Sequence, residues 1–441
     1  MLKILILVFI LLLVVYWKLS SKNDHIRYLL VFLASIPASL FREQGVLLSL
    51  CAILLIWIFA INLILNLHRS GEMIKFQKID FYLSFLLVFG FFSGFFYLDS
   101  DLSVNSNFPF EEMLYVSSFI FCLLIFKSIF DSKYSTDISV LKYFSLSVYF
   151  QLFSVLVVIF GYSHLMPSFL IGSIDVIDET GAGLTKIERY GALLGDYELV
   201  VDYSIMIMAF SIIYMLRTRK YIYALGAIFC SIFLALYSGT RSYFVVLLIA
   251  FFLFSLISLI FLKRKNDKIK IIFFIIFFIC VAFFVFNYFS DKFAIFERLS
   301  IAFDAYQKGA GVEATVNRSF LETASVIFKN VPFYGAGAYL FTDLKGDEIV
   351  SHNVVFAAYC RFGVFGVFGL LWLIFWSMKS LFSNLLKTNN LFERMEIIVL
   401  ISFTLALMVQ ELKISALRSF SGVMIYAIWF FYIKNRFKIS K

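Results

Sequence analysis

Proline is nearly absent from this chain, with 4 in 441 residues, so its apolar runs are seldom broken by a residue that disrupts helices. Charge is thin as well. Asp, Glu, Lys and Arg make up 15% of the residues, against about 25% in a soluble domain. That excludes an ordinary cytosolic enzyme and a disordered chain. Cysteine is sparse and unpaired in pattern: Cys51, Cys122, Cys230, Cys280 and Cys360 all lie inside apolar runs, with no CxxC. An odd count excludes a complete disulfide framework, and these thiols read as small packing residues. Only four histidines occur, His25, His68, His164 and His352. There is no GxxxxGK[ST] segment and no internal repeat of fixed period, which leaves ATP-driven work and solenoid architectures without support.

What is abundant is apolar surface. The chain is 62% hydrophobic and 20% aromatic, with 58 Phe, and its mean hydropathy is +0.93. The apolar runs are continuous and near twenty residues long, the length of a membrane-crossing helix. A membrane barrel would instead show alternating segments of about ten residues. The spacing predicts spans at about 2–17, 28–41, 45–67, 81–98, 113–130, 139–162, 199–216, 221–238, 242–262, 271–289, 354–378, 396–412 and 417–433. Pro37 and its short length leave 28–41 as a full pass or a re-entrant piece. The expectation is therefore an all-α polytopic membrane protein of 12–13 transmembrane helices, one integral membrane domain over 1–441. The 2–17 run lacks a small-residue cleavage site and reads as an anchor rather than a signal peptide.

The net charge of +9 raises the question of nucleic acid, but no groove-reading motif accompanies it. Lys and Arg instead recur in every second loop. Examples are Arg217, Arg219 and Lys220, then Lys263, Arg264, Lys265, Lys268 and Lys270, and a tail with Lys434, Arg436, Lys438 and Lys441. Basic loops stay in the cytoplasm, so the C-terminus is expected there. Two long loops, about 163–198 and 290–353, then fall outside. Loops longer than about 15 residues are usually functional or disordered. The second carries enough Phe, Leu, Ile and Val to dock back on the membrane domain. From Asn317 to Asn330 it reads as an amphipathic helix stopped by Pro332, and both outer loops are expected to carry short helices.

The candidate chemistry lies on that outer side. His352, followed by Asn353 at the mouth of a span, is either an interfacial histidine bonded to backbone or a general base, with an ordinary pKa of about 6.5. Arg241 lies in Tyr237-Ser238-Gly239-Thr240-Arg241-Ser242, between two spans with almost no loop, and either snorkels or binds a ligand. Arg189 lies in the first outer loop; Arg298 and Arg318 lie in the second. Arg318 has Glu322 four residues on, so it forms a surface ion pair or joins an anion-binding cluster. Two outer histidines without a carboxylate at fixed spacing make no case for a metal site. Gly363, Gly366 and Gly369 recur every third residue, which reads as close helix packing.

Together these segments resemble the O-antigen polymerase and O-antigen ligase superfamily, the Wzy and WaaL type membrane glycosyltransferases. Ser238-Gly239-Thr240-Arg241-Ser242 is similar to its Ser-Arg signature. Arg318-Ser319-Phe320-Leu321 followed by Pro332-Phe333-Tyr334-Gly335-Ala336-Gly337 is similar to its outer-loop Arg helix and Pro-x-x-Gly-x-Gly turn. Ser351-His352-Asn353 followed by Arg361-Phe362-Gly363-Val364-Phe365-Gly366 resembles its His-Asn element and Gly-rich span, and Arg189-Tyr190-Gly191 its upstream Arg-x-Gly element. The chain departs from the pattern at Asp196-Tyr197-Glu198, where the family often has an Asn-Pro-Asn-like turn. It departs again at Arg361-Phe362, where a Glu is common.

The resemblance implies inverting, metal-independent and cofactor-free glycosyl transfer. The donor would be an undecaprenyl-diphosphate-linked glycan at the periplasmic face of the bacterial inner membrane. It implies that Arg241 and Arg318 clamp the diphosphate, that Arg189 assists, and that His352 orients or deprotonates the acceptor hydroxyl. Its implied partners are the lipid-linked donor and acceptor, membrane lipids, and chain-length regulator and flippase proteins. The aromatic outer loops are more similar to the polymerases than to the ligases, which pass finished polymer to lipid A-core. A polysaccharide or lipid-linked sugar transporter is the reading from another class. It predicts charges buried within the spans, whereas the charges here are expected to gather at the outer face.

Overall fold

The computed structural model describes residues 137–165, 173–178, 186–194, 197–240, 242–262, 264–269, 272, 276, 324–325, 327–329, 331–335, 353–412 and 420–437. Helix accounts for 86% of the described region, so the class is all-α. The helices are α1 (Asp137–Ile159), α2 (Tyr197–Thr218), α3 (Tyr221–Tyr237), α4 (Ser242–Phe261), α5 (Val354–Lys387), α6 (Leu391–Glu411) and α7 (Phe420–Arg436). They match the spans expected from 139 to 262 and from 354 to 433. The five expected spans before residue 137, and nearly all of 271–289, lie outside the described residues. Segments within α1, α2, α4 and α5 are long and apolar enough to cross a membrane.

The segment between α1 and α2, expected as the first outer loop, corrects one expectation. It carries a 3-10 turn at Tyr162–Leu165 and then a two-stranded antiparallel ribbon, β1 (Ser173–Asp178) and β2 (Lys186–Ala192), rather than only short helices. The reason is local. Ile174, Val176, Ile177 and Ile187 are β-branched and favour an extended chain, and Gly181 and Gly183 lie between the two arms in the sequence. The register sets Asp175 opposite Arg189 and Asp178 opposite Lys186.

Helix α2 is the hub. It packs on α1, α3, α4, α6, α7 and β2, and 83% of its apolar window is buried, against 28% for α5. Lipid tails are as apolar as leucine, so close packing and hydrogen bonds, not water exclusion, hold such helices together. Phe210 of α2 supplies much of that packing. It stacks on Trp429 of α7 at 5.0 Å and meets Phe144 of α1 edge-on at 5.4 Å. Interhelical hydrogen bonds add to it: Trp429 Nε1 donates to Thr404 Oγ1 at 2.9 Å, and the Ser147 and Tyr203 hydroxyls bond each other. Outward faces stay apolar, through Ile222, Phe229, Phe252, Phe368, Trp372 and Phe375, as expected of helices that meet lipid.

The bundle has two distinct ends. Tight turns, with Arg219 at φ 58° and Gly239 at φ 63°, reverse the chain between α2, α3 and α4. One end gathers the ribbon, the α3–α4 turn, the start of α5 and the close of α6. The opposite end gathers Arg217, Arg219, Lys220, Lys387, Arg394, Lys434 and Arg436. Contacts across it include Arg219 over the Phe392 ring at 5.9 Å and Arg394 Nη1 donating to Phe261 O at 2.9 Å. We refer to them as the ribbon end and the basic end.

Candidate functional site

Arg189 is the one expected site residue whose side chain the structure describes. It leaves β2 toward the bundle and is 4% exposed. Its Nε donates to the Ser238 carbonyl at 3.3 Å, and its Nη2 donates to Thr240 Oγ1 at 3.0 Å. Its guanidinium carbon lies 3.1 Å from the centre of the Tyr197 ring, at the first residue of α2. The Thr240 hydroxyl in turn donates to the Tyr197 carbonyl at 3.2 Å. β2, the α3–α4 turn and the start of α2 thus meet at one guanidinium. The turn folds this way because Gly239 takes a positive φ, its amide donates to Leu236 O at 3.2 Å, and the Ser238 hydroxyl caps back to Ala235 O at 2.7 Å.

Arg241 itself, and likewise Arg318 and His352, lie outside the described residues. Their flanks do not. Thr240 and Ser242 bracket Arg241, and Tyr243 N donates to Thr240 O at 3.1 Å to open α4. Asn353 directly follows His352. It is the N-cap of α5: its Oδ1 accepts from Val355 N at 2.8 Å, and its Nδ2 donates to Leu412 O at 2.9 Å. The residue after His352 is therefore pinned both to its own helix and to the close of α6.

The described residues of the loop before α5 dock on that helix, as the apolar residues there predict. Residues 324–325 and 327–329 are helical, and Ile327 and Val331 pack with Phe356. Pro332 ends that segment in a turn whose Gly335 N donates to Pro332 O at 2.9 Å. Here the glycine run departs from the helix-packing expectation. Gly363 takes φ 64° and ψ −155° and breaks α5, and Val364 N, released by the break, donates to Phe333 O at 2.8 Å. A Cβ on Gly363 would lie 2.1 Å from Phe333 O, so the glycine admits the turn into the helix.

Around Arg189, the Tyr190 hydroxyl donates to Glu188 at 2.6 Å, and its ring meets Tyr237 edge-on. Burial first, and the Glu188 bond second, push this phenol well above its ordinary range, so it remains a neutral donor. Leu193 N donates to Gln151 Oε1 at 2.9 Å, tying the end of β2 to α1. His164 sits exposed on the 3-10 turn, its Nδ1 3.1 Å from Gly161 O. Among the described residues no group of three His, Cys, Asp or Glu side chains could hold a metal ion. Cys230 and Cys360 pack among apolar neighbours, as expected.

One expectation about charge is corrected. Charged side chains are also buried within the bundle. Asp202 of α2 and Glu411 of α6 are 0% and 2% exposed, and Tyr426 of α7 lies near both carboxyls. Glu396 and Arg394 are also buried, toward the basic end. An acid inside the apolar run 199–216 was a readable signal, because a lone intramembrane carboxyl is costly without a partner or a role. No protein-family model matches this chain, and no curated protein matches it either.

Proposed function

We propose that this chain is a membrane glycosyltransferase that joins undecaprenyl-diphosphate-linked oligosaccharide units at the periplasmic face of the bacterial inner membrane. The observation that carries the reading is the meeting of distant motif segments at one end of the bundle. Arg189 is bonded to the turn that leads into Arg241, and the Pro332–Gly335 turn is docked into the helix that begins just after His352. The basic end faces the cytoplasm on this reading, since Lys and Arg are retained there.

The residue types define the chemistry. The acceptor hydroxyl oxygen attacks the anomeric carbon from the face opposite the diphosphate. The new C–O bond forms as the bond to the diphosphate breaks, with inversion. His352 takes the hydroxyl proton. Polyprenyl diphosphate is already a good leaving group and needs no paired acid of the kind glycosidases use. Arg241 and Arg318 stabilise the charge that develops on it. Reconstituted protein with lipid-linked repeat units tests this directly. Wild type should build chains, with and without a chelator, and His352→Ala should not. Loss of activity on chelation would displace the scheme.

Polymerase and ligase differ in acceptor only. In a deletion strain, single units capped on core identify a polymerase; full chains left on the lipid carrier identify a ligase. The buried Asp202–Glu411–Tyr426 group favours a second reading, transport of a lipid-linked sugar, because transporters place charges within their spans. Counterflow of a labelled lipid-linked oligosaccharide in proteoliposomes, unaffected by His352→Ala, would select it.

A further inference from the structure

We infer that Arg189 is a positioning residue, which holds the Ser238-Gly239-Thr240 turn and through it Arg241, rather than a direct ligand of the diphosphate. This rests on the glycosyl-transfer reading and revises the role that the family resemblance implies for Arg189.

The grounds are geometric. A diphosphate ligand must reach the guanidinium, and Arg189 is 4% exposed. Two of its nitrogens already donate to groups two residues apart, the Ser238 carbonyl and the Thr240 hydroxyl. Its flat face is stacked on Tyr197. Only a planar fork can reach both acceptors and stack at once, so lysine would be a poor substitute. The Ser238 carbonyl lies just past the end of α3, where a helix dipole favours a cation, so the charge is held without a phosphate. The turn is short: Thr240 is both the acceptor for Arg189 and the donor to Tyr197, and the next residue is Arg241. Any slack at Thr240 passes straight to Arg241. Tyr197 stands at the place where the sequence departs from the family's Asn-Pro-Asn-like turn, so here a ring supplies part of the support.

The experiment compares Arg189→Lys, Thr240→Val and the double variant, with Glu188→Gln as a control on the neighbouring strand position. Misplacing a charge-stabilising group by about 1 Å lowers turnover by ~10²-fold. Arg189→Lys and Thr240→Val should each lower kcat for transfer by ~10- to 100-fold, with KM for the lipid-diphosphate donor little changed, and the double variant should be no worse than the worse single. Thr240→Val with normal kcat, or Arg189→Lys acting mainly on donor KM, overturns the inference and makes Arg189 a ligand. A second readout needs no transfer activity. Arg241→Cys on a Cys-free background is labelled with an impermeant maleimide. The labelling rate should change several-fold when Arg189→Lys or Thr240→Val is added, and stay level with Glu188→Gln. An unchanged rate overturns the positioning role. Absence of transfer by wild type, with the labelling change present, would sink the glycosyl-transfer reading and leave Arg189 as the brace of this turn.

Discussion

Two buried arginines, one at each end of the bundle, use the same chemistry to different ends. At the basic end, Arg394 is 7% exposed and donates to Phe261 O at 2.9 Å and Thr388 O at 2.6 Å. Those carbonyls close α4 and α5. At the ribbon end, Arg189 donates to the carbonyl that closes α3. Both cations satisfy orphan carbonyls at helix C-termini, where the helix dipole favours them. The surroundings differ. Near Arg394 in the chain lies an ionic network: Arg436 pairs with Glu396 at 3.4 Å and Glu393 at 3.7 Å, and Tyr432 donates to Glu396 at 2.7 Å. That network ties helix to helix and leads to no candidate site. The bonds of Arg189 tie a loop to a short turn that runs directly into one. A buried arginine therefore says little by its type. Its role is set by the chain segment adjoining its acceptors.

The sharpest break between the two ends should come from activity without stability. His352→Ala should lower transfer by about 10²–10⁴-fold, the usual contribution of a positioned base, with unfolding in detergent unchanged. Full activity of a well-expressed His352→Ala protein would remove the base. Arg394→Ala should do the reverse. It leaves two half-buried carbonyls without a charged donor, and at roughly 1.5–3 kcal/mol each the loss is about 3–6 kcal/mol of stability. Thermal unfolding measures it, and activity per folded molecule should hold. A stable but inactive Arg394→Ala protein would erase the contrast.

Gly363→Ala probes the docked turn at the ribbon end. A Cβ cannot fit against Phe333 O, and the positive φ disfavours alanine, so a loss of about 2–3 kcal/mol is expected. Single-Cys accessibility at position 333 should rise with it. Gly363→Ala with wild-type unfolding and an unchanged turn would mean the break in α5 is not what admits the turn.

Asn353 separates a cap from a tether. Asn353→Ala removes both bonds and should lose about 1–2 kcal/mol. Asn353→Asp still accepts from Val355 N but cannot donate to Leu412 O, so it should keep part of that stability. Equal losses for the two would show that the tether carries the whole effect. The smallest change is Tyr190→Phe, about 0.5–1 kcal/mol for one half-exposed hydrogen bond. The wild-type phenol is held above its ordinary value, so its contribution is complete below pH 10 and fades as the pH rises past that. Amide exchange of the ribbon in wild type, but not in Tyr190→Phe, should show the alkaline loosening.

Much of the fold was legible in the residues. Each of α1 to α7 falls on an expected apolar span, because a bilayer demands about twenty apolar residues per pass and the chain shows them as plain runs. The ribbon was missed because its two arms are short and lack a clean two-residue alternation, so local pattern carries little signal there. Asp202 and Glu411 were missed for another reason. Each stands alone in an apolar stretch of sequence, and only packing brings the two carboxyls to one tyrosine across three helices.

The sequence by itself determined the class of molecule: the long helices, the basic character of one end, and the stop at Pro332. These depend on hydropathy and local chain geometry, which neighbouring residues set. The tertiary structure decided what the polar residues do. Arg189 reads as an anion ligand until Ser238, Thr240 and Tyr197 close around it, and Gly363 reads as a packing residue until Phe333 enters the break beside it. Burial and hydrogen-bond partners depend on residues far apart in the chain, and no local pattern encodes their distance.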